Sequence, residues 1–299
     1  MAPPPSSIYT TSFFLALFFT IVAAATLRLI AALPNERSKT KQWQKRPIAT
    51  RILIVLGSGG HTHEMFRLLK DLDTRKYTHR TYVVSSGDAF SAQRAVEFER
   101  GLEEREEEVS KGQEKHVEGE NRNGSVEIEV TDADGVTRAQ AKKTKALRSP
   151  VCLGPAHYNI AIVPRARKIH QPLLTTPFSC LWTLYSSFTP LLRTLPIFSD
   201  QASTTTYDAA AADLPDLIIT NGPATAVIIV LASLLLRFVN WRGANSRGKC
   251  RTIYVESFAR VKTLSLSGKL LLRIVDRFFV QWEELEGAGG RAEFCGVLV

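Results

Sequence analysis

A long apolar run at the amino terminus constrains this chain more than any other feature. The first 27 residues carry no charged side chain, and residues 8–27 form a nearly unbroken apolar run of 20 residues. At about 1.5 Å of rise per residue, a helix of that length covers about 30 Å, the thickness of the hydrocarbon core of a bilayer. The run therefore predicts one transmembrane anchor over residues 8–33, preceded by a short N-terminus of residues 1–7.

The charges around this run indicate its orientation. Arg28 and six further Lys or Arg residues up to Arg51 follow it, opposed only by Glu36. The positive-inside rule places this basic side in the cytosol and the short N-terminus in the lumen. A cleaved secretory signal is the alternative, and the alanines at 23–25 favour it, but such signals carry positive charge before the apolar run. We predict an uncleaved anchor followed by a basic linker over residues 34–50.

Beyond the linker, short apolar runs alternate with segments of helical period. Residues 65, 68, 69 and 72 form the apolar stripe of a core-facing helix, and Ser91 is a candidate cap for a second helix. Residues 224–239 indicate a core helix rather than a second span, since only about 11 apolar residues precede Arg237. The predicted strands are residues 51–56, 81–85, 157–163, 214–220, 251–255 and 276–280. This alternation predicts an α/β fold over residues 51–299, a Rossmann-like parallel sheet with helices on both faces.

A polar insertion interrupts this pattern at about residues 101–150. Between positions 97 and 120 there are ten acidic and four basic residues with almost no large apolar ones. Such a segment buries too little apolar surface to offset the entropy of ordering it. We predict a disordered insertion, either a solvated loop or an acidic docking tail.

Overall charge and cysteine usage limit the classes of partner. The net charge of +9 permits nucleic acid, phospholipid or a phosphorylated ligand as partner. The four cysteines are widely scattered and the six histidines form no cluster in sequence. We predict reduced cysteines, no metal site and no cofactor.

A glycine-rich loop follows the first predicted strand. Gly57, Ser58, Gly59 and Gly60 leave several amide N–H groups unobstructed where the next helix begins. The natural occupant of such a loop is a phosphate or a diphosphate, although the spacing is neither that of a dinucleotide fingerprint nor that of a lysine-containing phosphate loop. His61 and Glu64 stand at the mouth of the helix and strengthen the case for a functional site over a plain tight turn.

Polar residues also follow three other predicted strands. Asp88 follows the second strand, Asn221 and Gly222 follow the strand that ends at residue 220, and Glu256, Ser257 and Arg260 follow residue 255. Each is also ordinary turn or cap chemistry. Because the carboxyl ends of parallel strands share one edge, together they predict a polar site there. Arg165, Arg167, Lys168 and His170 follow residues 157–163 and are equally compatible with anion binding or a solvated surface.

The motifs together resemble one known family. Five segments occur in the family's order: GSGGHTHEMFRLL at 57–69, IVPRARKIHQ at 162–171, PDLIITNGPAT at 215–225, IYVESFARVKTLSLSGKLL at 253–271 and DRFFVQWEEL at 276–285. The family is the membrane-anchor subunit of the dolichol-pathway UDP-N-acetylglucosamine (UDP-GlcNAc) transferase, asparagine-linked glycosylation protein fourteen. The resemblance covers nearly all of residues 51–299 except about 101–150.

The resemblance implies the acceptor half of a two-domain GT-B glycosyltransferase. Its partner would be a separate soluble subunit that binds UDP-GlcNAc and is recruited to the cytosolic face of the endoplasmic reticulum membrane or the continuous nuclear envelope. Together they would transfer GlcNAc to GlcNAc-diphosphodolichol with inversion, and no nucleic acid would be involved. The resemblance assigns acceptor-diphosphate binding to Gly57, Ser58, Gly59, Gly60, Asn221 and Gly222, with Glu256, Ser257 and Arg260 at the site edge. His61 is the first candidate for the general base, with Glu64 or Asp88 in reserve.

The chain departs from the family pattern at Ala224 and Ala226, where we expect Gly and Cys. The short apolar end, residues 294–299, is predicted to dock against the partner, because few neighbours remain for it to pair with. Two other functions stay open: a non-catalytic membrane scaffold for a soluble transferase, and a stand-alone enzyme that binds UDP-GlcNAc by itself.

Overall fold

The computed structural model describes residues 7–34, 49–121, 151–167, 171–172, 174–192, 206–222 and 224–298. Within these residues, strands β1–β7 are Arg51–Val55, His79–Ser85, Tyr158–Val163, Leu217–Asn221, Arg251–Val255, Arg277–Val280 and Ala292–Phe294. Helices α1–α7 are Ser7–Ala32, Gly60–Leu68, Ala89–Asn121, Thr176–Leu192, Thr206–Ala212, Ala224–Val239 and Leu266–Leu271.

The seven described strands form one sheet in the order β3-β2-β1-β4-β5-β6-β7, and every neighbouring pair is parallel. The predicted Rossmann-like fold is confirmed. From β1 the chain adds β2 and β3 on one side of the sheet. It then returns to add β4 beside β1 and continues outward on the other side to β7. The switch in direction opens a crevice between the carboxyl ends of β1 and β4, which is where ligands bind in open parallel sheets.

Two apolar layers cover the sheet, because consecutive side chains of a strand point to opposite faces. Leu53 and Val55 of β1 face one layer, which includes Ile229 of α6. Ile52 and Ile54 face the other, which includes Met65 of α2. β1 is buried along its whole length, as its continuous apolar run predicted.

Helix α1 stands out from this domain. Its Tyr9–Ala32 stretch is 24 residues long with a mean hydropathy of 2.3, long and apolar enough to cross a membrane, and its apolar side chains are largely exposed. Among the described residues, its carboxyl end contacts the domain: Ala32 is buried, and Arg28 Nε donates to the carbonyl of Phe238 in α6 at 2.7 Å. These properties are consistent with a membrane-anchored chain.

Helix α6 is the core helix that its length predicted. Half of its residues are buried, among them Ile229, Ala232 and Leu236, and they pack on the sheet. Ala226, one of the two departures from the expected pattern, is buried in the same layer. The alanine therefore leaves the helix packed on the sheet.

The helix after β2 differs from the prediction at both ends. It begins at Ala89 because Asp88, rather than Ser91, caps it: Asp88 Oδ1 accepts the N–H of Ser91 at 3.1 Å. It continues to Asn121, so residues 101–121 of the predicted disordered insertion are helical. Glu, Arg and Lys have high helix propensity, and the Lys111–Glu107 pair adds an (i, i+4) contact of 3.5 Å. Residues 122–150 lie outside the described part of the chain.

A seventh strand was not predicted. Phe294 in β7 pairs with Val280 in β6, so the start of the apolar C-terminal segment has a partner within the sheet. The three-residue strand Ala292–Phe294 was too short to be recognised by pattern. The unpaired stretch begins only at Cys295, and Cys295 and Val297 are exposed.

Candidate functional site at the sheet switch point

The glycine loop is held by hydrogen bonds at its buried start and is exposed along the rest of its length. Gly57 is buried, and its carbonyl accepts hydrogen bonds from the hydroxyls of Thr62 and Ser91, the latter at 3.1 Å. Ser58, Gly59 and Gly60 are exposed, and a Cβ added to either glycine would meet nothing within 4 Å. In the first turn of α2, the N–H groups of Thr62 and His63 donate to the carbonyl of Gly59 at 3.2 Å and 3.4 Å, which leaves those of Gly60 and His61 without an intrahelical acceptor. The loop thus presents bare backbone to the crevice.

Across the switch point, Gly222 touches the ring of His61. Gly222 follows β4 with a φ of +84°, and a Cβ there would lie 2.7 Å from His61 Cγ. Glycine is required at this position both for its backbone conformation and for the close approach. The contact joins the first turn of α2, which follows β1, to the residue that follows β4.

His61 and Glu64 form a pair on the first turn of α2. His61 Nδ1 lies 3.7 Å from Glu64 Oε2, a distance that is too long for a hydrogen bond. This nitrogen is buried and has no hydrogen-bond partner, although 31% of the His61 side chain is exposed. A proton on Nδ1 would face the carboxylate and leave the other ring nitrogen as the basic one.

Glu64 is held by two residues far away in sequence. Asn221 Nδ2 donates to Glu64 Oε2 at 2.8 Å, and Ser257 Oγ donates to Oε1 at 3.0 Å. Burial alone raises the pKa of Glu64, but interactions with His61, Asn221 and Ser257 outweigh it and lower the pKa below the ordinary value of 4.5. A carboxylate with a lowered pKa is a weak base, so Glu64 suits orienting His61 better than accepting the substrate proton.

The amide of Asn221 has one unused group. Asn221 is buried, its Nδ2 is taken by Glu64, and its Oδ1 has no hydrogen-bond partner. An orphaned buried acceptor costs free energy and is the usual sign of a missing ligand or water. The amide nitrogen of Asn221 is thus used by Glu64, and its Oδ1 is the group left for a ligand or water.

Glu256 stabilises the loop on which it lies. Its buried carboxylate accepts from Ser265 N at 3.1 Å and from Ser265 Oγ at 3.0 Å. Gly268 packs so closely that any side chain there would collide with the carboxylate. Glu256 therefore closes the loop of residues 256–265, on which Ser257 faces Glu64 and Arg260 is exposed.

Asp88 has a structural role in this arrangement. One of its oxygens accepts the Ser91 N–H and the other accepts the Ser91 hydroxyl at 2.8 Å. The hydroxyl of Ser91 in turn bonds to Gly57. Asp88 thus supports the glycine loop through Ser91.

Arg165 and Arg167, two of the four basic residues after β3, lie at the same sheet edge. Arg165 Nε donates to the carbonyl of Ser86, just beyond β2, at 3.1 Å, and Arg167 is exposed. Lys168 and His170 lie outside the described residues. Within the described part, no group of three or more His, Cys, Asp or Glu side chains is arranged to hold a metal ion.

Sequence reasoning missed Gln281, the residue directly after β6. It is buried, its Nε2 donates to the carbonyl of Glu256 at 3.0 Å, and its Oε1 has no partner. A polar residue immediately after an apolar strand was the available signal, the same one that singled out Asn221 and Glu256.

Comparison with known proteins identifies the family of the chain. Residues 52–117 and 113–298 match the family described as "Oligosaccharide biosynthesis protein Alg14 like". No solved structure matches the chain.

Three relatives illustrate the likeness, each named a UDP-N-acetylglucosamine transferase subunit. The chain is 32% identical to the Schizosaccharomyces pombe protein, over 94% of this chain and 98% of the relative. It is 37% identical to the Aspergillus fumigatus protein, over 79% of this chain and 100% of the relative. It is 30% identical to the Mus musculus protein, over 83% of each chain. With the family match spanning almost the whole sheet domain, this chain belongs to the Alg14 family of oligosaccharide biosynthesis proteins.

Proposed function

We propose that this chain is the membrane-anchoring, acceptor-binding subunit of a UDP-GlcNAc transferase that acts in N-glycan precursor synthesis. The complete enzyme would add the second GlcNAc to GlcNAc-diphosphodolichol on the cytosolic face of the endoplasmic reticulum. One observation carries the proposal: the His61–Glu64 pair lies beside an open glycine loop at the switch point of the sheet. The printed names of the relatives support the reaction class.

In this proposal His61 is the general base. It accepts the proton of the acceptor 4-hydroxyl through the ring nitrogen that faces away from Glu64, while the hydroxyl oxygen attacks the anomeric carbon of the donor sugar. The bond from that carbon to UDP breaks, so one in-line displacement inverts the configuration. Glu64 is a positioning residue, because its lowered pKa keeps it charged and able to stabilise the imidazolium that forms.

The acceptor's diphosphate is assigned to the backbone of Ser58, Gly59 and Gly60. The α2 N-terminus carries about half a unit of positive charge there, and the loop has room for an anion. A charged Glu64 repels a diphosphate placed deeper in the crevice. The unpartnered acceptor Oδ1 of Asn221 suits a sugar hydroxyl better than a phosphate.

The donor would be supplied by a separate soluble subunit that binds UDP-GlcNAc and meets the carboxyl edge of the sheet. The exposed C-terminal stretch after β7 lies on the same edge, since β7 is parallel to the other strands. Helix α1 would hold the assembled pair at the bilayer that contains the lipid acceptor.

Reconstitution tests the proposal directly. The full chain is assayed with and without the soluble subunit, using UDP-GlcNAc and a short-chain GlcNAc-diphospholipid acceptor. Transfer should require both chains. His61→Ala should abolish transfer and leave recruitment of the soluble subunit intact, whereas His63→Ala, an exposed histidine two residues away, should change neither.

Other results would replace the proposal. Unchanged transfer by His61→Ala would indicate the scaffold function, in which the soluble subunit supplies all the chemistry. Binding of UDP-GlcNAc by this chain alone would indicate a stand-alone enzyme.

A further inference from the structure

The outward face of helix α4 is unusually apolar for a helix at a protein surface. Phe178, Leu181, Trp182 and Tyr185 are 75%, 62%, 62% and 72% exposed. Their positions are i, i+3, i+4 and i+7, so they form one continuous stripe, which we call the α4 outer face. The rings of Trp182 and Tyr185 stack with centroids 6.0 Å apart.

The opposite side of α4 is already used by the core. Leu191 is buried, Leu184 and Phe188 pack against the layer formed with α6, and Thr183 and Ser187 are buried as well. No residue of α4 carries a charge. A helix on the surface of a water-soluble domain normally has a polar outer side. A contiguous exposed apolar surface of this kind marks a site of contact with another molecule or a membrane.

The position of α4 relative to α1 favours a membrane as the occupant of this surface. The carboxyl end of α1 contacts α6 through Arg28 and Phe238, and α6 packs against α4. Helices α1 and α4 thus both contact α6. Val239, the last residue of α6, and Trp241, two residues further along the chain, are exposed as well.

The composition of the α4 outer face favours the boundary between headgroups and acyl chains. Trp and Tyr have an apolar body and a polar tip, and they are enriched at this depth in membranes. The exposed Arg167 and the neighbouring Arg165 precede α4 and suit anionic headgroups. A length of 17 residues is short for a span but ample for a helix lying in the interface.

We propose that α4 lies in the headgroup boundary of the bilayer that α1 crosses, with its outer face turned toward the acyl chains. The inference rests on the membrane anchoring in the proposed function and does not depend on the assignment of the base. It adds a second membrane contact, which fixes the rotation of the domain about its anchor.

This contact would bring the glycine loop close to the bilayer. β3 ends at Val163 on the sheet edge that carries the loop, and Ser179 Oγ donates to the carbonyl of Ala166 at 2.8 Å. That bond holds the start of α4 near the same edge. A lipid-borne acceptor could then reach Ser58–Gly60 with its diphosphate close to the headgroup level.

Lipid quenching measures this contact. The full chain carries Cys180→Ser and Cys295→Ser together with a single new cysteine, either Leu181→Cys or Tyr185→Cys. This cysteine is labelled with an environment-sensitive fluorophore, and the labelled chain is reconstituted into vesicles of neutral and anionic phospholipid. Acyl-chain quenchers should quench the label at both positions with the soluble subunit absent. A label at Glu97→Cys, exposed on α3 across the sheet, should not be quenched. Absence of quenching at positions 181 and 185 would overturn the inference. Labels that become shielded only after the soluble subunit is added would also overturn it and would identify the face as a protein interface.

An activity measurement separates this inference from the proposed function. The double substitution Trp182→Ser/Tyr185→Ser should lower transfer to a bilayer-embedded acceptor about tenfold, equivalent to about 1.4 kcal/mol, with transfer to a short-chain soluble acceptor unchanged. Phe90→Ser, which removes an exposed aromatic ring from α3, should change neither. Equal loss with both acceptors would contradict a membrane role for α4. Absence of transfer by the unmodified complex would instead contradict the proposed function, and the quenching result would still stand on its own.

Discussion

Gly222 lies against the imidazole of His61, so close that a Cβ on Gly222 would stand 2.7 Å from His61 Cγ. His61 lies in the first turn of α2, which follows β1, and Gly222 directly follows β4, so the contact links the two strands on either side of the switch point. The histidine ring is therefore confined on one side by backbone and on another by Glu64, which limits the directions in which it can accept a proton.

Gly222→Ala should displace the His61 ring and disable the enzyme. We expect transfer to fall about 100-fold, because a misplacement of about 1 Å at a reacting group has an effect of that size. The left-handed conformation adds a stability loss of roughly 1–2 kcal/mol. Gly290→Ala is the matched control, since Gly290 has a φ of +75° and nothing within 4 Å of a Cβ. Equal activity losses in the two variants would mean that strain, and not the His61 contact, is responsible.

Ser257→Ala should make the chain's stability less dependent on Glu64 ionisation. Loss of a hydrogen bond to a charged group destabilises by about 1.5–3 kcal/mol at neutral pH and lets the pKa of Glu64 rise. A lowered folded-state pKa stabilises above the unfolded value of 4.5, and that contribution is lost as the pH falls through the folded pKa. The difference in unfolding free energy between parent and variant should therefore shrink below about pH 4.5. Denaturant unfolding in detergent across this range measures it, with the exposed Ser86→Ala as control. A difference that is constant with pH would contradict the role given to Ser257.

Glu99→Gln should be strongly destabilising. Arg80 and Glu99 form a buried two-bond ion pair with distances of 2.6 Å and 2.7 Å, and Tyr82 donates to the same carboxylate at 2.7 Å. Breaking such a pair leaves a buried guanidinium uncompensated and costs about 3–5 kcal/mol. Glu97→Gln removes a partner from the exposed Arg94–Glu97 pair on the same helix and should cost at most about 1 kcal/mol. Thermal unfolding of both variants tests the contrast, and similar midpoints would refute it.

Deletion of residues 295–299 should abolish co-purification with the soluble subunit. The cut leaves β7 and its pairing with β6 intact, so the sheet domain should keep its unfolding temperature. Cys295→Ser is the control and should still bind, because we assign the contact to the apolar residues that follow, including the exposed Val297. Recovery of the intact complex after the deletion would remove the C-terminal segment from the proposed interface.

Local patterns in the sequence were sufficient to predict the arrangement of strands and helices in this protein. A continuous apolar run predicts a buried parallel strand, and six of the described strands were found by that rule. The glycine loop and the polar residues after β1, β4 and β5 followed because parallel strands share one carboxyl edge. The helical extension to Asn121 and the short β7 were missed, since charged helix formers and a three-residue strand lack the apolar period on which the reading depends.

The amino-acid sequence by itself determined the apolar N-terminal helix, the parallel sheet and the edge at which a ligand could bind, because these depend on hydrophobic period and strand direction. Tertiary structure alone decided the roles within that edge. Asn221 and Ser257 reach Glu64 across 157 and 193 residues of chain. Whether a carboxylate acts as a base, orients another side chain, caps a helix or stabilises a loop depends on which donors surround it in space. Glu64, Asp88 and Glu256 look alike in sequence, and only the folded structure shows that each accepts hydrogen bonds from a different set of donors.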